Sequence, residues 1–463
     1  MTDLALLQID EAASIAAAFR RLNENRAGIL AVIDAERRVL GVVTDGDIRR
    51  HLLSRPDTAQ PIASCANRAF VRLANGAPRE AVLKLLDQRI RAIPLLDAAG
   101  RLAGIVTRES FRLEAEARVY ARARAPVRIS FGGGGTDLTR YFIEHGGVVM
   151  NATVSLFTHA TLRRREDRCA AIRSADFAQS VEADSPAALP FDGRLDLVKA
   201  VVRLIEPDYG FELEIGSDFP PGSGLGGSAV VAAAVIGCFN QFREDRWDRH
   251  QIAEMAFQAE RLLLGIPGGW QDQYATVFGG FNYMEFTAEH NTIYPLRLDG
   301  EVTRELEASL LLCDTGLSHA SGELQAKTLA AAEDEGAARR FAQESKALTL
   351  EMKRLLLRGR LLDYGRLMNE TWRVKREFLP HTTTPELDRL YEVALSAGAV
   401  GGRLLGAGAG GHFLFFTEPF RRFELLGRLR EEGLEPRSFT FDDQGLQSWT
   451  ARSGESAAGE GLG

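Results

Sequence analysis

Pro220-Pro221-Gly222-Ser223-Gly224-Leu225-Gly226-Gly227-Ser228-Ala229 decides how the rest of the chain is read. Phe211 to Ile215 before it alternates apolar and acidic residues, the period of a half-buried strand. Val230 to Phe239 after it is apolar and alanine-rich and reads as a buried helix. A glycine loop therefore opens a helix. Glycine lets the backbone turn tightly and approach a ligand closely. The free N–H groups of a helix start, together with its dipole, favour an anion there, and phosphate is the natural one. The cradle would comprise Pro221, Gly222, Ser223, Gly224, Leu225, Gly226, Gly227 and Ser228. The Ser228 hydroxyl could cap the helix or reach a metal. A plain turn with a capped helix is the alternative, and four glycines between Gly222 and Gly227 argue against it.

Gly222, Gly224 and Gly227 also satisfy G-x-G-x-x-G, the dinucleotide fingerprint. The strand of that fold should be a continuous apolar run, whereas this one alternates with glutamates. No G-x-x-x-x-G-K-[ST] sequence occurs. The loop belongs to another kind of phosphate binder.

Length and composition bound the rest. The 463 residues suffice for two to four domains at roughly 100–200 residues each. With 45% hydrophobic and 26% charged residues, a sizeable core is available. A net charge of −7 argues against nucleic acid as the main partner. Cys65, Cys169, Cys238 and Cys313 are scattered without C-x-x-C, as in a reduced, cytoplasmic protein without a zinc site. The start lacks a basic-then-apolar signal and no apolar run is long enough to span a bilayer, so no membrane is expected.

The first hundred residues contain a repeat. Ile29 to Arg50 (ILAVIDAERRVLGVVTDGDIRR) matches Ala92 to Arg112 (AIPLLDAAGRLAGIVTRESFR) at one fixed offset, pairing Asp34 with Asp97, Gly41 with Gly104 and Thr44 with Thr107. Each copy reads as strand, turn, strand and helix, preceded by a helix at Ala12 to Asn23 or Arg79 to Gln88. G-V-V-T-D-G-D and G-I-V-T-R-E-S within them resemble a CBS-domain pair over residues 1–115. The resemblance implies a cleft for an adenine nucleotide near Thr44, Asp47 and Thr107. Ser110 stands where the second copy would carry its acid, so at most one complete ribose site is expected. The alternative is a pair that only dimerises the chain, and a homodimer is expected.

Leu113 to Arg124 reads as a helical connector. Arg124 to Phe131 is then a strand, and Gly132-Gly133-Gly134-Gly135-Thr136-Asp137 is a wide loop ending in a carboxylate that could accept sugar hydroxyls or cap the next helix. Ile252 to Leu264 reads as a helix in which Glu260 has only apolar neighbours three and four residues away. A carboxylate on a packing face needs a partner or a metal. Gly265 ends that helix, and Gly268-Gly269-Trp270-Gln271-Asp272 presents a further carboxylate, which read alone is a helix N-cap. Beyond it lie the strand Leu310 to Asp314, a nearly continuous helical pattern from Glu323 to Glu377, a helix from Leu387 to Ala397 and a third glycine loop, Gly406-Ala407-Gly408-Ala409-Gly410-Gly411. His412 beside the following strand reads as structural. The tail from Ala451 reads as disordered.

Phosphoryl transfer needs a phosphate cradle, a magnesium ion and a residue that orients the nucleophile. The central loop supplies the cradle; Ser228 and Glu260 supply oxygen ligands suited to Mg²⁺; Asp272 could accept the proton of an attacking hydroxyl; Arg128 could sit beside Asp272 or the phosphoryl group. At this point A-P-V-R-I-S-F-G-G-G-G-T-D, P-P-G-S-G-L-G-G-S-A, A-F-Q-A-E-R-L-L-L-G-I-P-G-G-W-Q-D-Q and G-A-G-A-G-G together resemble the GHMP small-molecule kinases over residues 119–450. The resemblance implies an ATP-dependent kinase with Ser228 and Glu260 on magnesium, Asp272 as base, Arg128 as its basic partner, and Gly135, Thr136, Asp137, Gly269 and Gly408 near a sugar. It also implies a mixed α/β and α+β architecture. The CBS pair (1–115) would precede an α/β nucleotide lobe (119–300), a ferredoxin-like lobe (301–450) and a tail (451–463). Within the family the likeness leans to the heptose 7-phosphate kinases, although Trp270 stands where a basic residue is common there. This implies transfer to the anomeric hydroxyl of a small sugar phosphate. A 7-phosphate needs a basic receptor, for which Lys375, Arg376 and Arg403 are candidates. A fucokinase-like enzyme for an unphosphorylated sugar, and a nucleotide-sensing regulator with a degenerate kinase lobe, are the competing readings.

Overall fold

The computed structural model describes residues 4–25, 27–86, 90–108, 111, 119–317, 327 and 334–452. The chain divides into two units, Met1–Arg118 and Val119–Arg452. Residues 113–118 of the expected connector, Ser110, residues 323–326 and the tail from residue 453 lie outside the described residues.

The first unit keeps the internal repeat. Gln8–Asp10 pairs in parallel with Ile29–Ile33, which pairs antiparallel with Val39–Thr44. Leu73–Ala74, Ala92–Leu96 and Leu102–Thr107 repeat that arrangement. The ladders even break at equivalent places, Val32/Ile33 and Leu95/Leu96. Ala31 and Val39 from one copy share a buried apolar cluster with Leu96 and Leu102 from the other. Each copy also buries a cluster of its own, around Ile15, Leu30 and Ile48 in the first and Val82, Leu86 and Ile93 in the second, and the shared cluster joins the two.

The larger unit begins with a correction. Val119–Gly132 is one strand throughout, not a helical connector followed by a strand. Ala121, Ala123 and Ala125 are buried between arginines, a period of two that tertiary pairing favours over the helix propensity of alanine. This strand pairs with Gly147–Arg164, the long central strand of an eight-stranded sheet. From there the sheet runs one way through Phe211–Ser217, Ala170–Ser174 and Gln179–Ala183, and the other through Phe281–Phe286 and Asn291–Pro295. The eighth strand, Gln447–Arg452, pairs back onto Val119–Arg124. Ala451 therefore belongs to the sheet rather than to a tail, because it gives an otherwise unpaired edge its partner. The helix Gly227–Asn240 is buried nearly all round and packs on this sheet.

The second sheet is Ala399–Leu404, His412–Thr417, Leu310–Asp314 and Glu435–Arg437 in that order, antiparallel throughout. Numbered along the chain and read from the Glu435–Arg437 edge, the order is 4-1-3-2, the ferredoxin-like arrangement. Among the described residues the expected long helix is two, Glu335–Leu357 and Leu361–Phe378, broken where Gly359 takes φ +66°, and residues 328–333 lie outside those described. Among the described residues no helix is long and apolar enough to cross a membrane.

Candidate active site

The strand Phe211–Ser217 delivers the chain to the glycine loop, and the helix Gly227–Asn240 leaves it with no side-chain cap. Its first N–H groups are left for a ligand. Gly226 sits at φ +83°, where a Cβ would lie 3.3 Å from Asp272 Oδ2 and 3.5 Å from Arg128 Cζ. Only glycine brings the cradle this close to the two charged groups. The loop lines a cavity of about 600 Å³ whose walls include Phe177, Leu195, Ile215, Phe219 and Val231. An apolar chamber ending in a phosphate cradle has the shape a nucleotide needs.

The third glycine loop buttresses the second. A Cβ on Gly406 would lie 2.7 Å from Gly224 Cα, and one on Gly411 2.6 Å from the Ser223 carbonyl oxygen. His412 Nδ1 bonds the Ser223 carbonyl at 2.9 Å, so this buried histidine is structural, and burial holds its pKa below the usual value.

Arg128 and Asp272 form a two-pronged ion pair. Nε donates to Oδ1 at 2.8 Å and Nη2 to Oδ2 at 3.0 Å, while Nη1 donates to the Gly224 carbonyl at 2.7 Å. Asp272 caps nothing: the helix Gln271–Phe278 carries no side-chain cap. Each carboxylate oxygen retains acceptor capacity for a substrate hydroxyl.

Glu260 departs from the expected helix. The α-helix Arg249–Phe257 passes into a π-helical segment, Gln258–Leu263. With i→i+5 bonding the three-and-four spacing no longer marks one face. Leu263 is accordingly 44% exposed while Glu260 is buried. Glu260 accepts from Ser228 Oγ at 2.5 Å and from Gln273 Nε2 at 2.9 Å, and lies 3.0 Å from Arg261 Nη1. Burial raises its pKa, and Arg261 and the Ser228 hydroxyl oppose that shift. The donor set fits Mg²⁺: one carboxylate and one hydroxyl, both oxygen, lie at the rim of the phosphate cradle. Among the described residues no group of three or more His, Cys, Asp and Glu could hold a metal.

A smaller polar cavity of about 70 Å³ adjoins this site. Gly135, Asp137, Gly269, Lys375 and Arg403 line it, and so do Arg128 and Asp272. Asp137 accepts from the Gly135 amide at 3.0 Å and the Gln271 amide at 3.2 Å, and does not cap the helix Thr139–His145. Burial, and then the Asp272 charge, raise its pKa. Lys375 Nζ donates to the Gly406 carbonyl at 2.7 Å, and Arg403 donates to that of Phe131. Arg376 is paired instead with Asp388 at 3.1 Å. Two expected residues stand elsewhere. The Thr136 hydroxyl is consumed by the Gly133 and Val148 carbonyls and the Val148 amide, because it ties the loop to the long strand. Gly408 backs onto Thr382, whose Cα a Cβ would approach to 2.6 Å, and Gly406 and Ala407 line the cavity in its place. Sequence reasoning passed over Ser130 and Gln271. Both line the pocket, and Ser130 Oγ, Gln271 Oε1 and Arg403 Nε are buried there without hydrogen-bond partners. Such atoms are costly unless a ligand completes them. The flanking of Asp272 by two glutamines was the available signal.

In the first unit, Thr44 and Asp47 form a reciprocal cap on the helix Asp45–Ser54, with Thr44 Oγ1 donating to Asp47 Oδ2 at 2.6 Å and Arg50 paired to the other oxygen. The plainer role of these two residues is thus filled. Thr107 ends the equivalent strand of the second copy.

A phosphate cradle, a buried carboxylate beside a hydroxyl, and a second carboxylate facing a polar pocket define a small-molecule kinase. Comparison with known proteins agrees. The GHMP kinases N terminal domain matches residues 196–280, the GHMP kinases C terminal domain residues 352–433, and the CBS domain residues 1–54 and 62–115. A D-glycero-alpha-D-manno-heptose 7-phosphate kinase of Campylobacter jejuni is 35% identical over 71% of this chain and 98% of that protein. The crystal structure of a D-glycero-D-manno-heptose 1-phosphate kinase from Bacteroides thetaiotaomicron superposes with a TM-score of 0.61 at 28% identity, covering 72% of this chain and 100% of that one. An L-fucokinase/L-fucose-1-P guanylyltransferase of Bacteroides fragilis is 28% identical over 81% of this chain but only 44% of its own length. The chain belongs to the GHMP kinase family, with a CBS-domain pair ahead of the kinase. Members of that family are ATP-using kinases.

Proposed function

We propose that this protein transfers the γ-phosphoryl group of ATP to the anomeric hydroxyl of D-glycero-D-manno-heptose 7-phosphate. One observation carries the reading: the nucleotide cleft and the small polar pocket share Arg128 and Asp272 in their walls. A hydroxyl in the pocket and a phosphate in the cradle would meet at this pair. Asp272 accepts the hydroxyl proton as the oxygen attacks, and Arg128 holds the carboxylate in place. Asp137, Gly135 and Gly269 orient the sugar, and Lys375 and Arg403 supply positive charge for the phosphate it already carries. Ser228 and Glu260 would hold Mg²⁺, which would supply positive charge to offset that of the phosphates. The identity to the heptose 7-phosphate kinase, and its extent, favour the phosphorylated sugar over a fucokinase-like substrate.

A coupled ADP-release assay over sugars and sugar phosphates tests the substrate. Turnover with heptose 7-phosphate well above that with fucose or galactose is the expected result; the reverse order replaces the assignment. Asp272→Asn should keep nucleotide binding and lose about 100-fold or more in kcat, the usual size of a general-base contribution. Near-normal turnover removes Asp272 from that role. For the CBS pair, an adenine nucleotide near Thr44, Asp47 and Thr107 and a homodimeric, cytoplasmic protein complete the proposal.

A further inference from the structure

Glu260 and Arg261 are neighbours in sequence, and neighbours on an α-helix point about 100° apart. In the π-helical segment their head groups meet at 3.0 Å. The same guanidinium reaches forward into the loop that follows. Nη1 donates to the carbonyls of Ile266 at 3.2 Å and Pro267 at 3.0 Å, and Nη2 to that of Gly269 at 3.5 Å. Gly268 leaves it room: a Cβ there would lie 2.1 Å from Arg261 Cζ. The loop in turn grips Asp137. The Trp270 amide donates to the Asp137 carbonyl at 3.2 Å and the Gln271 amide to its Oδ2 at 3.2 Å. Gly269 closes on the same carboxylate, since a Cβ there would lie 1.8 Å from Oδ2. Arg261 lines the nucleotide cleft and is absent from the lining of the sugar pocket.

We propose that Arg261 is a positioning residue that couples the metal–nucleotide site to the sugar site, its guanidinium being both the counter-charge of Glu260 and the strut of the loop that fixes Asp137. The proposal rests on Glu260 as metal ligand and Asp137 as sugar acceptor. A divalent cation on Glu260 takes over the neutralising of that carboxylate. The Arg261 donors then belong wholly to the carbonyls of residues 266–269, and the loop tightens around Asp137. By linkage the sugar must favour the metal–nucleotide to the same degree.

Backbone hydrogen exchange of residues 265–271 in the full chain tests this, with AMP-PNP in EDTA compared with AMP-PNP in saturating Mg²⁺. In the native protein Mg²⁺ should slow exchange of the loop by about fivefold or more, the low end of ordinary coupling. Arg261→Lys keeps the charge but not the planar fork. Gly268→Ala keeps the arginine but displaces its guanidinium. Both should bring the Mg²⁺ effect close to onefold while AMP-PNP still binds. A merely structural role would lower protection equally with and without metal. Calorimetric titration with heptose 7-phosphate should show the same pattern, a gain of about fivefold with Mg²⁺·AMP-PNP in the native chain and none in the variants. Equal exchange with and without Mg²⁺ in the native protein, or a full Mg²⁺ effect in both variants, overturns the coupling. Metal-dependent tightening that both variants abolish, in a protein that binds no sugar phosphate, upholds the strut and overturns the substrate assignment instead.

Discussion

Burial, followed by the nearby charges of Arg403 and Arg128, brings the Lys375 ammonium down to about 7, with Asp137 pulling the other way. An anionic sugar phosphate in the same pocket favours the charged form. Without substrate, the lysine is about half protonated near pH 7 and loses the rest of its proton as pH rises. Affinity for a sugar phosphate should therefore fall as pH climbs from 7 toward 9, and binding in that range should take up a proton. Calorimetry in buffers of different ionisation enthalpy reads the uptake directly. Lys375→Met should flatten the pH profile; an unchanged profile would separate this lysine from substrate charge. Glu260 calls for a different measurement. Glu260→Gln replaces a charged metal ligand with a neutral one, so the Mg²⁺ concentration for half-maximal activity should rise about tenfold or more. A change in melting temperature alone, at unaltered Mg²⁺ dependence, would make Glu260 structural.

The glycine loops act as elements because two of them lie backbone to backbone. Gly406→Ala would push a Cβ to 2.7 Å from Gly224 Cα, at a φ of +68° that alanine resists. Strain at such a position costs on the order of 1–3 kcal/mol. The prediction is a raised KM for ATP, although residue 406 is distant in sequence from the cradle, and unchanged nucleotide affinity would refute the buttress. Much of this was legible beforehand. Glycine clusters and isolated carboxylates stand out because few other roles tolerate them, and the central loop, Glu260 and Asp137 came from that signal, whereas Asp272, read alone as a helix cap, took its role only from the assembled set and the family resemblance. What stayed hidden depended on local geometry. The π-helical segment leaves no pattern in composition, so the three-and-four spacing around Glu260 misled, and nothing in the sequence singled out Arg261. The strand over Val119–Arg124 was mistaken for helix because alanine and arginine favour helices until a neighbouring strand supplies partners. Thr136 and Gly408 were misplaced by proximity: each stands beside pocket-lining residues but is spent on backbone contacts.

At the scale of the whole molecule, the CBS-domain pair is an addition that the heptose 7-phosphate kinase relative, matched over 98% of its own length by 71% of this chain, does without. A regulatory pair should make kinase activity depend on an adenine nucleotide through unequal affinity for two arrangements. Kinetics of the full chain with added AMP, ADP or a sugar nucleotide should differ from those of a chain starting at Val119. Identical kinetics would leave the pair as a dimerisation module.

The strand Gln447–Arg452, which closes the large sheet onto Val119–Arg124, also sets a clock. Arg124 and Gln447 are 323 residues apart. At roughly 5–20 residues per second, a ribosome needs on the order of 16–65 s to make the stretch between them. Through that interval the first strand of the kinase waits with one edge open. An open edge is a template for foreign strands, so the waiting strand is the place where the nascent chain is most exposed to misassociation. A chain ended before Gln447, about 17 residues short of the 463, would keep every catalytic side chain and leave that edge open, and its expected fate is aggregation.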